Sequence, residues 1–269
     1  MMKFFKLLLI SILISGILSC SKNKIPELVL EGESYMKNGN YQRAIDVYEQ
    51  ISKEYPNSSI SYYLKTKTYF AQKKYAEALD NINIAIGLDS TFSDYFVSRG
   101  NIEQILLNHD NAVDDFRKAI FMDKNPYGYT GIGDILIDSF RYKEARYFYN
   151  EAFRIKQDAI ISSKIAHSYF LQNNFDSAVI FYSVAIKLDP ENSIIYYNRA
   201  FAKYNQGDKS GGISDLTKSI DLDSLNDMSY YIRSVIYQYL GDSINAQKDL
   251  NKAVTLGNCY AIEDIKMQK

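Results

Sequence analysis

The sequence predicts an all-α protein: a solenoid of seven helix–turn–helix repeats closed by a short C-terminal helix. Three observations lead there. Small residues recur with a period of about 34, large apolar residues keep helical spacing from them, and turn residues fall between the segments so defined. Strand-type alternation is absent over any useful length.

The period is read from Ala44, Ala78, Ala112, Ala145, Ala178, Gly212 and Ala246, whose steps are 34, 34, 33, 33, 34 and 34. Seven residues after each stand Ile51, Ala85, Ala119, Ala152, Ala185, Ser219 and Ala253; twelve before each stand Gly32, Thr66, Gly100, Gly133, Ala166, Ala200 and Ser234. Twenty of these 21 positions are Gly, Ala, Ser or Thr. Those types fill 63 of 269 residues, so chance would give about five. Four after each anchor come Tyr48, Ile82, Phe116, Tyr149, Tyr182, Leu216 and Leu250. Spacings of four and seven put these groups on one face of a helix. Small residues belong where two helices cross closely, and large ones fill the space beside the crossing. Each repeat is therefore two antiparallel helices.

Taken in order, the chain opens with Lys3 and Lys6, followed by the apolar run Leu7 to Leu18. That is short for a membrane span, which needs roughly 20 residues, but suits a secretory signal. The run ends in Ile17-Leu18-Ser19-Cys20, which resembles the lipobox of bacterial lipoproteins. The resemblance implies a signal peptide over 1–19, a covalent lipid on Cys20 and a tether over 20–25. An ordinary secretory signal cut nearby is the alternative. Loss of the signal leaves 29 basic against 32 acidic residues. The repeats span 25–260, as 25–58, 59–92, 93–125, 126–158, 159–192, 193–226 and 227–260. Asn38-Gly39-Asn40, Gln206-Gly207-Asp208 and Leu240-Gly241-Asp242 fall between paired helices, where Gly takes the left-handed turn. Pro56 and Pro190 fall between repeats, where a helix must end. Residues 261–269 read as a capping helix over the last apolar face. Gly211-Gly212 costs roughly 1 kcal/mol per Gly inside a helix, so the sixth repeat is expected to be the looser one.

Gly32, Tyr35, Gly39, Tyr41, Ala44, Tyr48 and Pro56 resemble the signature of the tetratricopeptide repeat family. The resemblance covers roughly 25–260 and implies a right-handed α-solenoid that binds partners rather than catalysing a reaction. Departures are local: Gly212 replaces the anchor Ala, while His109, Lys209 and Ser243 replace the turn aromatic.

Little else carries chemistry. His109 and His167 are the only histidines and lack metal-ligand spacing, so no metal and no cofactor is expected beyond the lipid on Cys20. His109 is read as a packing residue, Asp114-Asp115 as a solvated face, and Cys259 as a small buried residue. Gly131-Ile132-Gly133 is read as helix packing, since no strand precedes it. A net charge of −1 gives no electrostatic footprint for nucleic acid.

The remaining surface is the concave side lined by first helices. Residues one and three places before the small first-helix residue, and one and four after it, are expected to point inward. Candidate groove residues are Tyr63, Lys67, Phe70, Lys164, His167, Phe170, Tyr197, Phe201, Tyr204 and Tyr231. This aromatic face suits a protein or peptide partner. The expected function is a lipid-anchored scaffold in a bacterial cell envelope, at the outer membrane facing the periplasm. A component of outer-membrane protein assembly or secretion machinery, and a binder of glycan or peptidoglycan fragments, are the alternatives.

Overall fold

The computed structural model describes residues 24–267, so the expected signal peptide and Cys20 lie outside the described residues. The described residues form fifteen helices and no strand. The fold class is the expected one, consecutive helix–turn–helix pairs. Two compact units divide between Asp123 and Lys124, a boundary that the unbroken sequence period does not announce.

Unit 1 holds three hairpins: α1 (Ile25–Lys37) with α2 (Tyr41–Glu54), α3 (Ser59–Ala71) with α4 (Tyr75–Leu88), and α5 (Ser93–Ile105) with α6 (His109–Asp123). Unit 2 holds four: α7 (Pro126–Asp138) with α8 (Tyr142–Ile155), α9 (Ala159–Phe170) with α10 (Phe175–Leu188), α11 (Ser193–Gln206) with α12 (Lys209–Leu222), and α13 (Asp227–Tyr239) with α14 (Ser243–Thr255). A last helix, α15 (Cys259–Met267), follows α14.

Local chemistry sets the helix ends. Pro26 and Pro126 sit in first turns, where a missing N–H costs nothing. The side chains of Asn125, Asp158, Asn174, Asp208, Asn226 and Asp242 accept hydrogen bonds from first-turn amides. Every hairpin turns through one left-handed residue: Gly39, Gly207 and Gly241 as expected, but also Lys73, Leu107, Phe140 and Asn173, at φ between 57° and 64°. An L side chain there costs roughly 1 kcal/mol. The turns repay it with a bond from the third amide beyond the helix to the fifth carbonyl back, as from Lys74 to Tyr69 and from Arg141 to Leu136, 2.9 and 2.8 Å.

The small residues do what their spacing predicts. Ala44, Ala78, Ala112, Ala145 and Ala178 are fully buried at the crossings. At three early positions a ring occupies the place of the missing side chain. A Cβ on Gly32 would lie 2.2 Å from Tyr48, on Gly100 2.7 Å from Phe116, and on Gly133 2.4 Å from Tyr149. Where the facing residue is Ile82, Leu216 or Leu250, the early position carries Thr66, Ala200 or Ser234 instead, and in the fifth repeat Tyr182 shares its core with Ala166. Gly131 and Gly133 are thus packing residues, as read from the sequence.

Four expectations are corrected. Gly211 and Gly212 lie in the first turn of α12, not its interior; Asp208 accepts from the Gly211 amide at 2.9 Å, and a Cβ on Gly212 would lie 3.3 Å from the Ala200 carbonyl. The pair permits close packing, and the backbone shows no break there. His109 is exposed at the start of α6, at the position where Tyr75 and Phe175 pack their rings. Cys259 is exposed at the start of α15. Asp115 is not solvated but buried, for a reason that belongs to the next section.

Candidate interaction surface

On a helix, residues four and seven apart share a face. In unit 2 this aligns Ile160, Lys164 and His167 on α9, and Ile194, Asn198 and Phe201 on α11. Contacts between the first helices show that these faces adjoin. Lys164 on α9 donates to both carboxylate oxygens of Asp134 on α7, at 2.7 and 2.8 Å. The Tyr149 hydroxyl donates to the same carboxylate at 2.7 Å. From α9 to α11 the link is apolar: Phe170 and Phe201 have ring centroids 5.3 Å apart.

The seven unit 2 candidates form two clusters. In the first, the His167 ring lies parallel to Phe170 at 6.4 Å, and Phe170 also meets Phe175 at 5.5 Å. Burial of part of the imidazole, and then the Lys164 ammonium, lower the His167 pKa, which favours a neutral ring. Tyr204 on α11 packs with Tyr197 against Ala200, Leu216 and Ile236, and the Lys209 ammonium lies 5.9 Å from its centroid and 4.2 Å from that of Tyr239. The second cluster faces α15. Tyr231 stacks on Tyr260 at 5.9 Å and donates to Asp264 at 3.2 Å. Tyr197 is half-buried beside Ala200, Leu216 and Ile236. Burial raises the pKa of both phenols, aided by Asp264 at Tyr231 and Asp227 at Tyr197, so both stay protonated at neutral pH.

Unit 1 holds the other three candidates and uses them differently. Tyr63 lies 4.8 Å from Tyr95, whose hydroxyl is 3.1 Å from Ser59, and Lys67 sits over Tyr63 at 5.7 Å. Phe70 meets Tyr75 edge-on at 5.6 Å. Tyr63 thus joins one hairpin to the next, while Phe70 meets Tyr75 within a hairpin, as Phe170 meets Phe175.

One geometric rule read from the sequence fails. The residue just before the small first-helix position does not face the groove; Ile165 is fully buried and Lys65 nearly so. At Arg99, Arg199 and Arg233 that position carries a repeated ionic clasp instead. Arg99 donates to both oxygens of Asp115 at 2.7 and 2.8 Å, and to Asn83 of the preceding hairpin at 2.9 Å. Arg199 does the same with Asp215 and Ser183, and Arg233 with Asp249 and Thr217. Lys203 adds a further bond to Asp215 at 2.9 Å. Each Arg stands 16 residues after one partner and 16 before the other, a spacing that could have revealed the clasp. The arrangement fixes helices; it presents no free acid or base for catalysis.

Also missed is an exposed apolar row at the start of the unit 2 first helices, where Tyr127, Ile160 and Ile194 are 37, 60 and 61% exposed. An open concavity of about 360 Å³ lies farther along, between α13, α14 and α15, lined partly by Gln238, Gln247 and Asp264. Among the described residues no cluster of His, Cys, Asp and Glu could hold a metal ion, and no helix is long and apolar enough to cross a membrane.

Comparison with known proteins agrees with this architecture. Residues 12–84 match the family model for anaphase-promoting complex, cyclosome, subunit 3; residues 166–207 match a TPR repeat and 229–256 a tetratricopeptide repeat. RNA polymerase II-associated protein 3 of Xenopus laevis is 25% identical over 190 residues, covering 63% of this chain. The match spans only 28% of that protein's length. Among solved structures, the APC/C hetero-tetramer Cut9-Hcn1 superposes with a TM-score of 0.73 at 14% identity, over 89% of this chain and 48% of that one. YrrB, described as a TPR protein with an unusual peptide-binding site, gives 0.54 at 17% identity, over 69% of this chain and 97% of that one. At such identities the structural likeness speaks to the fold alone.

Proposed function

The chain belongs to the tetratricopeptide repeat family, and on that premise we propose that it is a non-catalytic scaffold holding a protein segment against the first-helix surface of unit 2. The observation that carries this reading is the Phe170–Phe201 contact between α9 and α11, with His167 stacked on Phe170 beside it. Aromatic groups half-held by the core and half-open lose little entropy on binding, which makes them effective anchors. Lys164 and Lys203 are already matched by Asp134 and Asp215, so affinity here comes from apolar contact rather than from capturing a charged chain end.

Photo-crosslinking tests it. A photoreactive side chain in place of Tyr204 captures a discrete protein in the native membrane fraction, and the same group in place of Ile180, exposed on α10, does not. Equal capture from both positions defeats the reading. So does capture from neither, combined with a raised melting midpoint in peptidoglycan fragments, which points to a glycan ligand.

The scaffold is proposed to be tethered by lipid on Cys20 in a bacterial envelope, on the support of Lys3, Lys6, the apolar run and the Ile17-Leu18-Ser19-Cys20 sequence. Labelled palmitate is expected to enter the wild-type chain and not Cys20→Ala; label in the variant removes this part of the proposal.

A further inference from the structure

The last hairpin, α13 with α14, is sealed less completely than those before it. Ala246 is 9% and Leu250 7% exposed, while Ala44, Ala78, Ala112 and Ala178, and Tyr48, Ile82, Phe116 and Leu216, are fully buried at the same two places. In earlier hairpins the seal comes from the following first helix, nine residues after its start. Ile102 shares a core with Ala78 and Ile82, Ala202 with Ala178 and Tyr182, and Ile236 with Leu216. Ile236 reaches to 3.4 Å from where a Cβ on Gly212 would stand. Helix α15 performs the first half of that role: Ala261, at the place of Ile195, is fully buried. But α15 begins at Cys259 and ends at Met267, eight residues on, and the sequence has the polar Gln268 at the sealing place. What stays unsealed is the open concavity of about 360 Å³, with Val235, Gln238, Ala246, Gln247 and Leu250 in its lining.

Unit 2 also shows how the second half of a following first helix is held. Arg146, one place after the anchor Ala145, donates to the carbonyl of Ser168, the sealing residue of α9, at 3.2 Å. Gln206, four after the sealing residue Ala202, donates to Asp176 on α10 at 2.6 Å. In the last hairpin Gln247 stands at the place of Arg146, and its carboxamide N–H now donates to Asn251 on the surface at 3.0 Å. Ile244 stands at the place of Asp176 and is 83% exposed. Tyr239 and Leu240 beside it are also largely in solvent, where the preceding hairpin has Asn205 and Gln206. This apolar tip is therefore not imposed by the repeat pattern. Asp264, the one charged residue of the lining among the described residues, already accepts from Tyr231 at 3.2 Å.

We propose that this end of unit 2 is a docking surface for two turns of an amphipathic helix from a partner protein, seated as the second half of a following first helix. One aliphatic residue fills the socket over Ala246 and Leu250. A second, four residues later on the same helix face, meets Ile244. Gln247 donates to the carbonyl of the first, which has a lone pair left beyond the helix's own bond. The surface is separate from the first-helix groove and does not rest on it.

A phage-displayed library of helical miniproteins, randomised on the outer face of one helix and panned on the full chain, tests this without assuming a sequence. Enriched members are expected to carry Ile, Leu or Val at i and i+4. A fluorescent copy of the leading member is expected to bind about tenfold more weakly to Ile244→Asp and equally well to Phe201→Ala. Its binding is expected to slow hydrogen exchange over residues 235–250. Ile244 is exposed, so an unchanged melting midpoint shows that the variant folds. Enrichment no greater than on Gln238→Trp with Ile244→Asp, which blocks the socket, overturns the proposal. Binding lost with Phe201→Ala and kept by Ile244→Asp places the helix in the groove and overturns the end surface alone. A mass that doubles with concentration in sedimentation, and does not in Ile244→Asp, gives the place to a second copy and overturns the partner helix.

Discussion

In unit 1, Tyr63 lies against Tyr95 and beneath Lys67, while in unit 2 Phe170 meets Phe201 and the neighbouring Ile160 and Ile194 stay open to solvent. The hairpin is the same in both. What differs is how much of the first-helix face is consumed in joining one hairpin to the next. Unit 1 spends aromatic residues on that task; two of its three hairpins also close a ring over a glycine, Gly32 under Tyr48 and Gly100 under Phe116. Both units use ions as well: one of the three hairpins of unit 1 and two of the four of unit 2 carry an Arg–Asp clasp, and unit 2 adds the Lys164–Asp134 pair between neighbouring hairpins. In unit 2 Ile160 and Ile194 stay largely in solvent, and exposed apolar residues are what a binding surface requires.

The largest expected effect follows from Asp215, which is 6% exposed in its side chain and answers both Arg199 and Lys203. Asp215→Ala leaves the half-buried Arg199 guanidinium without its anion, a change that costs about 2–3 kcal/mol. Urea unfolding followed by hydrogen exchange is expected to show the loss in α10 to α13, with unit 1 protected as before. A cost below about 1 kcal/mol would mean that water replaces the carboxylate and that the clasp is ornamental.

Next comes the ring over glycine. Gly133→Ala pushes a methyl group into the Tyr149 ring, and that ring cannot tilt away because its hydroxyl is held by Asp134 at 2.7 Å. Overpacking of about 1–3 kcal/mol is expected, net of the gain in helix propensity. Tyr149→Leu on the same background is expected to recover part of it, since Leu216 and Leu250 face Ala200 and Ser234 without conflict. Failure of that rescue in a melting experiment would refute the pairing rule.

These two contrasts also show what the sequence made legible. The hairpins, their crossings and the glycine turns follow from small residues at a fixed period, because close helix contact admits few side chains. Phe170 and Phe201 were picked out from the same period, at four places after Ala166 and one after Ala200. The clasp escaped because Asp115 beside Asp114 looks like an ordinary hydrophilic face, and only the turn of α6 decides that one is buried and the other is not. His109 and Cys259 were misplaced at helix starts, where a residue counted as part of the packed pattern stands outside it. The left-handed turns at Lys73, Leu107, Phe140 and Asn173 carry no glycine to mark them. The row of Tyr127, Ile160 and Ile194 was in plain register, but at the offset of a helix start rather than its middle.

The third prediction separates the two units by binding. With the protein captured by photo-crosslinking as ligand, Phe201→Ala is expected to weaken affinity about tenfold, whereas Lys67→Ala in unit 1 leaves it unchanged. Equal losses would mean that both first-helix surfaces take part and that the open face of unit 2 is not what distinguishes them.

The smallest effect concerns pH. In the folded chain the His167 pKa lies below its ordinary value, through burial and then Lys164. The unfolded chain therefore takes up the proton first as the pH falls. The stability contributed by a neutral His167 is complete above the unfolded pKa of about 6.5 and declines as the pH drops through the folded value. His167→Gln keeps a polar side chain there without titrating, so its melting midpoint is expected to fall less than that of the wild type between about pH 7 and 5. Affinity for the captured protein is expected to decline over the same range in the wild type, because imidazolium would set a second cation beside Lys164 on an otherwise apolar face. Parallel pH profiles for the two proteins would show that the titration is carried elsewhere, and that the Phe170 stack does not make His167 part of the surface.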